Sequence, residues 1–139
     1  MRRALAAAGA ALLLAALPSA AGAGARGALD SMMINRAREA GGLDEQQAQK
    51  LRSAVALYRA NVERLRDAFR GHMKTLESQI KAGAPDAEVS KTLALIESTY
   101  RSIMAERHKL VEDAAGYLSP SQRAKIALDL AGRGLKRAP

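Results

Sequence analysis

The sequence predicts an all-α fold: a long antiparallel helical hairpin with short flanking helices. Three observations predict it. Apolar residues recur at alternating steps of four and three over two long stretches, Gly-Ala-Pro-Asp separates the stretches, and no alternating strand pattern occurs. The apolar set is Leu, Ile, Val, Met and Ala, with one Phe, three Tyr and no Trp. So thin a core predicts self-association, with a homodimer as the expected state.

The elements follow in chain order. Met1-Arg2-Arg3 precedes an apolar run of 14 residues from Ala4 to Leu17, then Pro18-Ser19 and the small residues Ala20 to Ala23. This is the charged start, apolar stretch and Ala-x-Ala box of an export signal over residues 1–23, and the run is shorter than the roughly 20 residues of a spanning helix. No stable membrane insertion is expected. The chain has no Cys, which excludes disulfides, thiolate metal sites and a lipid anchor at the cleavage point. A soluble periplasmic location follows as the expectation.

Residues 24–131 form the expected helical domain, with a flexible lead-in to Gly27. A short helix is expected over Ala28–Ala40, with Asp30 as cap and Gly41-Gly42 as stop. Leu43–Ala82 reads as one long helix, with a heptad seam through Leu51, Val55, Tyr58, Val62, Leu65 and Phe69 that continues to His72 and Leu76. Gly83-Ala84-Pro85-Asp86 is the turn, with Asp86 capping the next helix. The second helix is expected to run to about Tyr117, with Val89, Leu93, Ile96, Tyr100 and Ile103 as its seam, and Leu110, Ala114 and Tyr117 beyond. A last helix opens at Ser119-Pro120 and ends at Gly132, leaving residues 132–139 as a disordered basic tail.

One local pattern occurs twice. Leu43-Asp44-Glu45-Gln46-Gln47 and Leu118-Ser119-Pro120-Ser121-Gln122 both read Leu, capping residue, two variable positions, Gln. Each is a helix start, in which Asp44 or Ser119 caps and Gln47 or Gln122 closes a capping box. Two such motifs around a long helical hairpin behind a signal peptide resemble the Spy/CpxP family of periplasmic stress proteins, a group that includes zinc-resistance-associated and heavy-metal-sensing proteins. The family prefers Thr where this chain has Asp44 and Ser119. The resemblance implies a cradle-shaped homodimer that holds unfolded polypeptides without ATP, or acts as an envelope-stress adaptor on a membrane sensor domain. A metal-responsive resistance or sensor protein on the same scaffold is the alternative it implies.

The net charge is +8, of which Arg2 and Arg3 would leave with the signal, giving +6. Export removes nucleic acid as a partner, and the positive field favours unfolded or acidic polypeptides, or anionic membrane surfaces. Arg52, Arg59 and Arg66 recur every seven residues beside the first seam, and Met104, Val111 and Leu118 every seven beside the second. Arg52, Arg59, Arg66, Met104 and Val111 are the candidate client-binding residues. The same pattern reads equally as solvated coiled-coil flanks beside a dimer interface.

No catalytic constellation is legible, so an enzyme is not expected, and no cofactor is implied. His72 and His108 are the only histidines, and folding about the turn offsets them by roughly 16 Å. They cannot share an ion within one subunit. Met104 and His108, four apart on one helix, offer two soft ligands, too few for a structural metal site.

Overall fold

The computed structural model describes residues 23–136, so all of the predicted export signal before Ala23, and residues 137–139, lie outside the described residues. The described chain is four helices: α1 (Ala23–Gly41), α2 (Glu45–Ala82), α3 (Asp86–Ala115) and α4 (Pro120–Lys136). The all-α class and the two long helices with shorter flanking ones are as expected. The helices contribute to two compact units, one of residues 23–55 with 110–136 and one of Ala56–Lys109.

The helix stops separate glycines by what the backbone needs of them. Gly42 and Gly83 adopt φ of 61° and 65°, the left-handed conformation that costs glycine nothing. Each sits just past a helix end. The Leu43 N–H donates to the Arg38 carbonyl at 3.0 Å and the Ala84 N–H to the Gln79 carbonyl at 2.9 Å, the six-to-one bond of a Schellman stop. Gly132 has no positive φ, and α4 runs through it to Lys136. The disordered tail expected from residue 132 is therefore helical to that point: a glycine weakens a helix by about 1 kcal/mol but ends it only where the chain turns left-handed. At the other end, α1 starts at Ala23. The lead-in is thus helical, and Asp30 lies inside the helix instead of capping it. Asp86 likewise falls in the first turn of α3, where its charge suits the helix N-terminus, while the Pro85 carbonyl accepts from Glu88 and Val89.

The first unit holds the apolar core. Ile34 and Ala37 of α1, Leu51 of α2, Ile126 of α4 and the two motif leucines, Leu43 and Leu118, are all buried together. Val55, Ala114, Tyr117 and Leu130 pack around them. Gly41 is buried against this cluster, and a β-carbon there would lie 3.0 Å from Ile126 Cδ1. Thus of the two adjacent glycines, Gly41 permits close approach and Gly42 permits the turn. An apolar pocket of about 50 Å³ remains in this unit, lined among others by Ala37, Leu51, Val55, Leu110, Ala114 and Ile126. Val55→Ile should fill part of it and raise stability by about 0.5–1 kcal/mol, read by chemical denaturation. A loss would mean that the pocket cannot take a methyl group without strain.

The second unit is the hairpin tip. Tyr58 and Val62 of α2 are buried, and Leu65, Phe69, His72 and Leu76 half-buried, which reproduces the expected seam. On α3 the seam differs. Val89, Ile96 and Ile103 face inward as expected, but Thr92 and Thr99 are the buried residues between them. Leu93 and Tyr100 remain 50% and 56% exposed. The inward set runs 89, 92, 96, 99, 103, 106, one position from the expected set at every second member. Two polar devices account for the choice. Thr99 satisfies its hydroxyl within the helix by donating to the Leu95 carbonyl at 2.8 Å. Asn61 Nδ2 donates to Glu106 Oε2 at 3.0 Å and holds position 106 toward α2.

Candidate functional site

The duplicated motif is where the first unit closes on itself. Both capping boxes form. Asp44 Oδ1 accepts from the Gln47 N–H at 2.7 Å, and Gln47 Oε1 from the Asp44 N–H at 3.2 Å. Ser119 Oγ accepts from the Gln122 N–H at 3.1 Å, and Gln122 Oε1 from the Ser119 N–H at 3.0 Å. The two glutamines then bind each other. Gln47 Nε2 donates to Gln122 Oε1 and Gln122 Nε2 to Gln47 Oε1, both at 3.0 Å. Their remaining amide hydrogens go to the Tyr117 carbonyl at 2.9 Å and the Gly42 carbonyl at 3.4 Å. Each primary amide has two donors and two acceptor lone pairs, and every one is used. The repeat therefore builds one clasp, with Leu43 and Leu118, 5% and 4% exposed, in the core beneath it. Ser119→Ala should cost on the order of 1 kcal/mol, as at other helix caps, measurable by denaturant titration. No change would show that the cap contributes nothing.

Tyr117 links the clasp to a shallow groove bordered by Gln49, Lys50, Ser53, Ala54 and Asp113. The Lys50 ammonium stands 5.9 Å from its ring centroid. Burial, and then the nearby Asp113 carboxylate, push its phenol above the ordinary tyrosine value. The raised value means that this group contributes its full stability below about pH 10 and loses it at more alkaline pH.

The candidate client-binding residues separate by position. Arg52 belongs to the first unit, is exposed, and donates from Nη1 to Gln49 Oε1 at 2.7 Å. Arg59 and Arg66 belong to the hairpin unit and are half-buried on α2. Met104 is 37% exposed on α3. Val111 is half-buried and lines the apolar pocket of the first unit. Leu118 is core, so the Met104, Val111 and Leu118 stripe is not a continuous exposed surface.

A different apolar surface takes its place. With the seam of α2 running through Tyr58, Val62, Leu65, Phe69 and Leu76, the next position in each heptad is Arg59, Arg66, Met73 and Ile80. With the observed α3 seam, the equivalent column is Leu93, Tyr100 and Arg107. In an antiparallel pair these two columns flank the same face of the hairpin. Met73, Ile80, Leu93 and Tyr100 are 44%, 64%, 50% and 56% exposed. The hairpin unit thus presents large apolar side chains near its turn and arginines farther along the same columns. Heptad spacing revealed the arginines. The apolar half was hidden because Leu93 and Tyr100 read equally well as seam residues.

Among the described residues no group of three or more His, Cys, Asp or Glu is placed to hold a metal ion, and no helix is long and apolar enough to cross a membrane. No family model, curated protein or solved structure matches this chain.

Proposed function

We propose that the protein is a periplasmic, ATP-independent chaperone or envelope-stress adaptor that binds unfolded or partner polypeptides on the hairpin unit. The observation that carries this reading is the single face with Met73, Ile80, Leu93 and Tyr100 exposed beside Arg59 and Arg66. Exposed side chains of this size, rimmed by charge, mark surfaces that bind other macromolecules. An unfolded polypeptide offers the complement, apolar residues to rest on the tip and carboxylates to meet the arginines. The resemblance of the duplicated Leu-x-x-x-Gln motif to that of periplasmic stress proteins supports the reading, as does the export signal read over residues 1–23. Self-association into a homodimer and docking on a membrane sensor domain belong to the same proposal.

Light scattering of a chemically denatured client tests it. Without ATP, a several-fold molar excess of the protein should slow client aggregation. The Leu93→Ser, Tyr100→Ser double variant should do so far less while keeping its helical signal, since both side chains are half exposed. Absence of suppression by the unmodified chain would refute the proposal.

A further inference from the structure

We infer that the occupant of this face is an amphipathic α-helix of a partner polypeptide, with its carboxylates gathered at the end that lies against Arg66. The inference rests on the proposal that this face binds polypeptide, and it specifies the form in which the polypeptide binds.

A two-helix hairpin needs apolar residues only along the seam between its helices. Here each helix carries a further pair one position outside the seam, Met73 and Ile80 on α2, Leu93 and Tyr100 on α3. Because both pairs flank the same face, they form the two walls of a groove over the seam. That is the surface a three-helix bundle uses to seat its third helix. Each pair is one heptad apart, about 10.5 Å along the axis at 1.5 Å per residue, and anchors at i and i+7 of a docked helix have the same separation. From Arg66 to Ile80 the column extends about 21 Å, the length of roughly four helical turns.

Charge sets which end is which. Walking along α2 from the turn, the column reads Ile80, Met73, Arg66, Arg59, and on α3 Leu93 and Tyr100 give way to Arg107. From Arg59 to Ile80 on α2 and from Leu93 to Arg107 on α3 neither column holds a carboxylate; the one acidic member of the α3 column, Asp86, lies a heptad before Leu93 at the turn, the end away from the arginines. A helix whose acidic residues cluster at one end matches this gradient, whereas a uniformly apolar or basic helix does not.

Fluorescence anisotropy with synthetic peptides tests the inference. The probe is a labelled peptide of about 16 residues, with Leu at helical anchor spacing and Glu clustered at one end. One control replaces Glu by Lys, and another has the same anchors but two central prolines that forbid helix. The helical acidic peptide should bind, with affinity at least about tenfold better than either control, and Leu93→Ser with Tyr100→Ser should remove that advantage. Leu95→Ser, at an equally exposed leucine off this face, should leave it intact.

Equal binding of the proline peptide would mean that the face takes extended chain. It would overturn the inference, while suppression of client aggregation would leave the proposed function standing. Loss of both peptide binding and aggregation suppression would defeat both. Micromolar self-association abolished by the double variant and unaffected by the peptide would assign the face to a second copy, and likewise overturn the inference.

Discussion

Replacing Gln122 by Leu should lower the unfolding free energy by about 2–4 kcal/mol, the largest stability effect expected of any single polar side chain in the first unit. The substitution removes the acceptor that closes the Ser119 capping box. It also strips the Gly42 carbonyl of its donor and leaves both polar ends of the Gln47 amide short of a partner. Leaving partly buried polar groups unpaired is what makes the loss exceed that of an ordinary surface hydrogen bond. Gln122→Glu is the sharper variant, because a carboxylate still accepts from the Ser119 N–H but cannot donate to Gln47 or Gly42. A double-mutant cycle between Gln47→Ala and Gln122→Ala should give a coupling energy of about 1–2 kcal/mol. Additive losses would show that the two capping boxes act separately and that the clasp between them is energetically empty.

Charge reversal at Arg59 and Arg66 together should slow capture of a denatured client by about tenfold or more at low ionic strength. The two guanidiniums share one column of α2 with Met73 and Ile80, so their field acts along the approach to the apolar half of the face. Raising the salt concentration should lower capture by the unmodified chain, since the screening length falls to about 3 Å at 1 M, and should bring it toward the variant. Stopped-flow fluorescence with a labelled client separates this rate effect from affinity. Arg52→Glu should do less, because Arg52 belongs to the other unit. A double reversal that leaves the capture rate and its salt dependence unchanged would reduce the arginines to solvated surface.

The residues show why some of this was legible in advance. Helix ends were readable where a single local rule decides them: Gly42 and Gly83 stop α1 and α2 because each turns left-handed. Gly132 shows the limit of that rule, since the residue type alone does not tell whether the backbone will turn. Each capping box was legible because its partners lie three residues apart. The bond between the boxes was not, because it joins side chains 75 positions apart in the chain. The α2 seam was unambiguous because polar or charged residues flank most of it. On α3, Val89, Ile96 and Ile103 satisfy two phases, and hydropathy favours Leu93 and Tyr100 over Thr92 and Thr99. The fold takes the less apolar phase, in which Thr99 satisfies its own hydroxyl and Glu106 meets Asn61. That choice exposes the leucine and tyrosine on which the functional proposal stands.

The most direct test uses the absence of cysteine. Leu93 and Leu95 are each 50% exposed, two residues apart on α3, yet only Leu93 lies in the column facing the groove. A photocrosslinker attached to Leu93→Cys or Leu95→Cys therefore compares two faces of one helix at equal exposure. With a denatured client in excess, crosslinking from position 93 should exceed that from position 95 several-fold, and unlabelled client should compete it away. Equal yields from the two positions, or a higher yield from position 95, would contradict the assignment of polypeptide binding to this face.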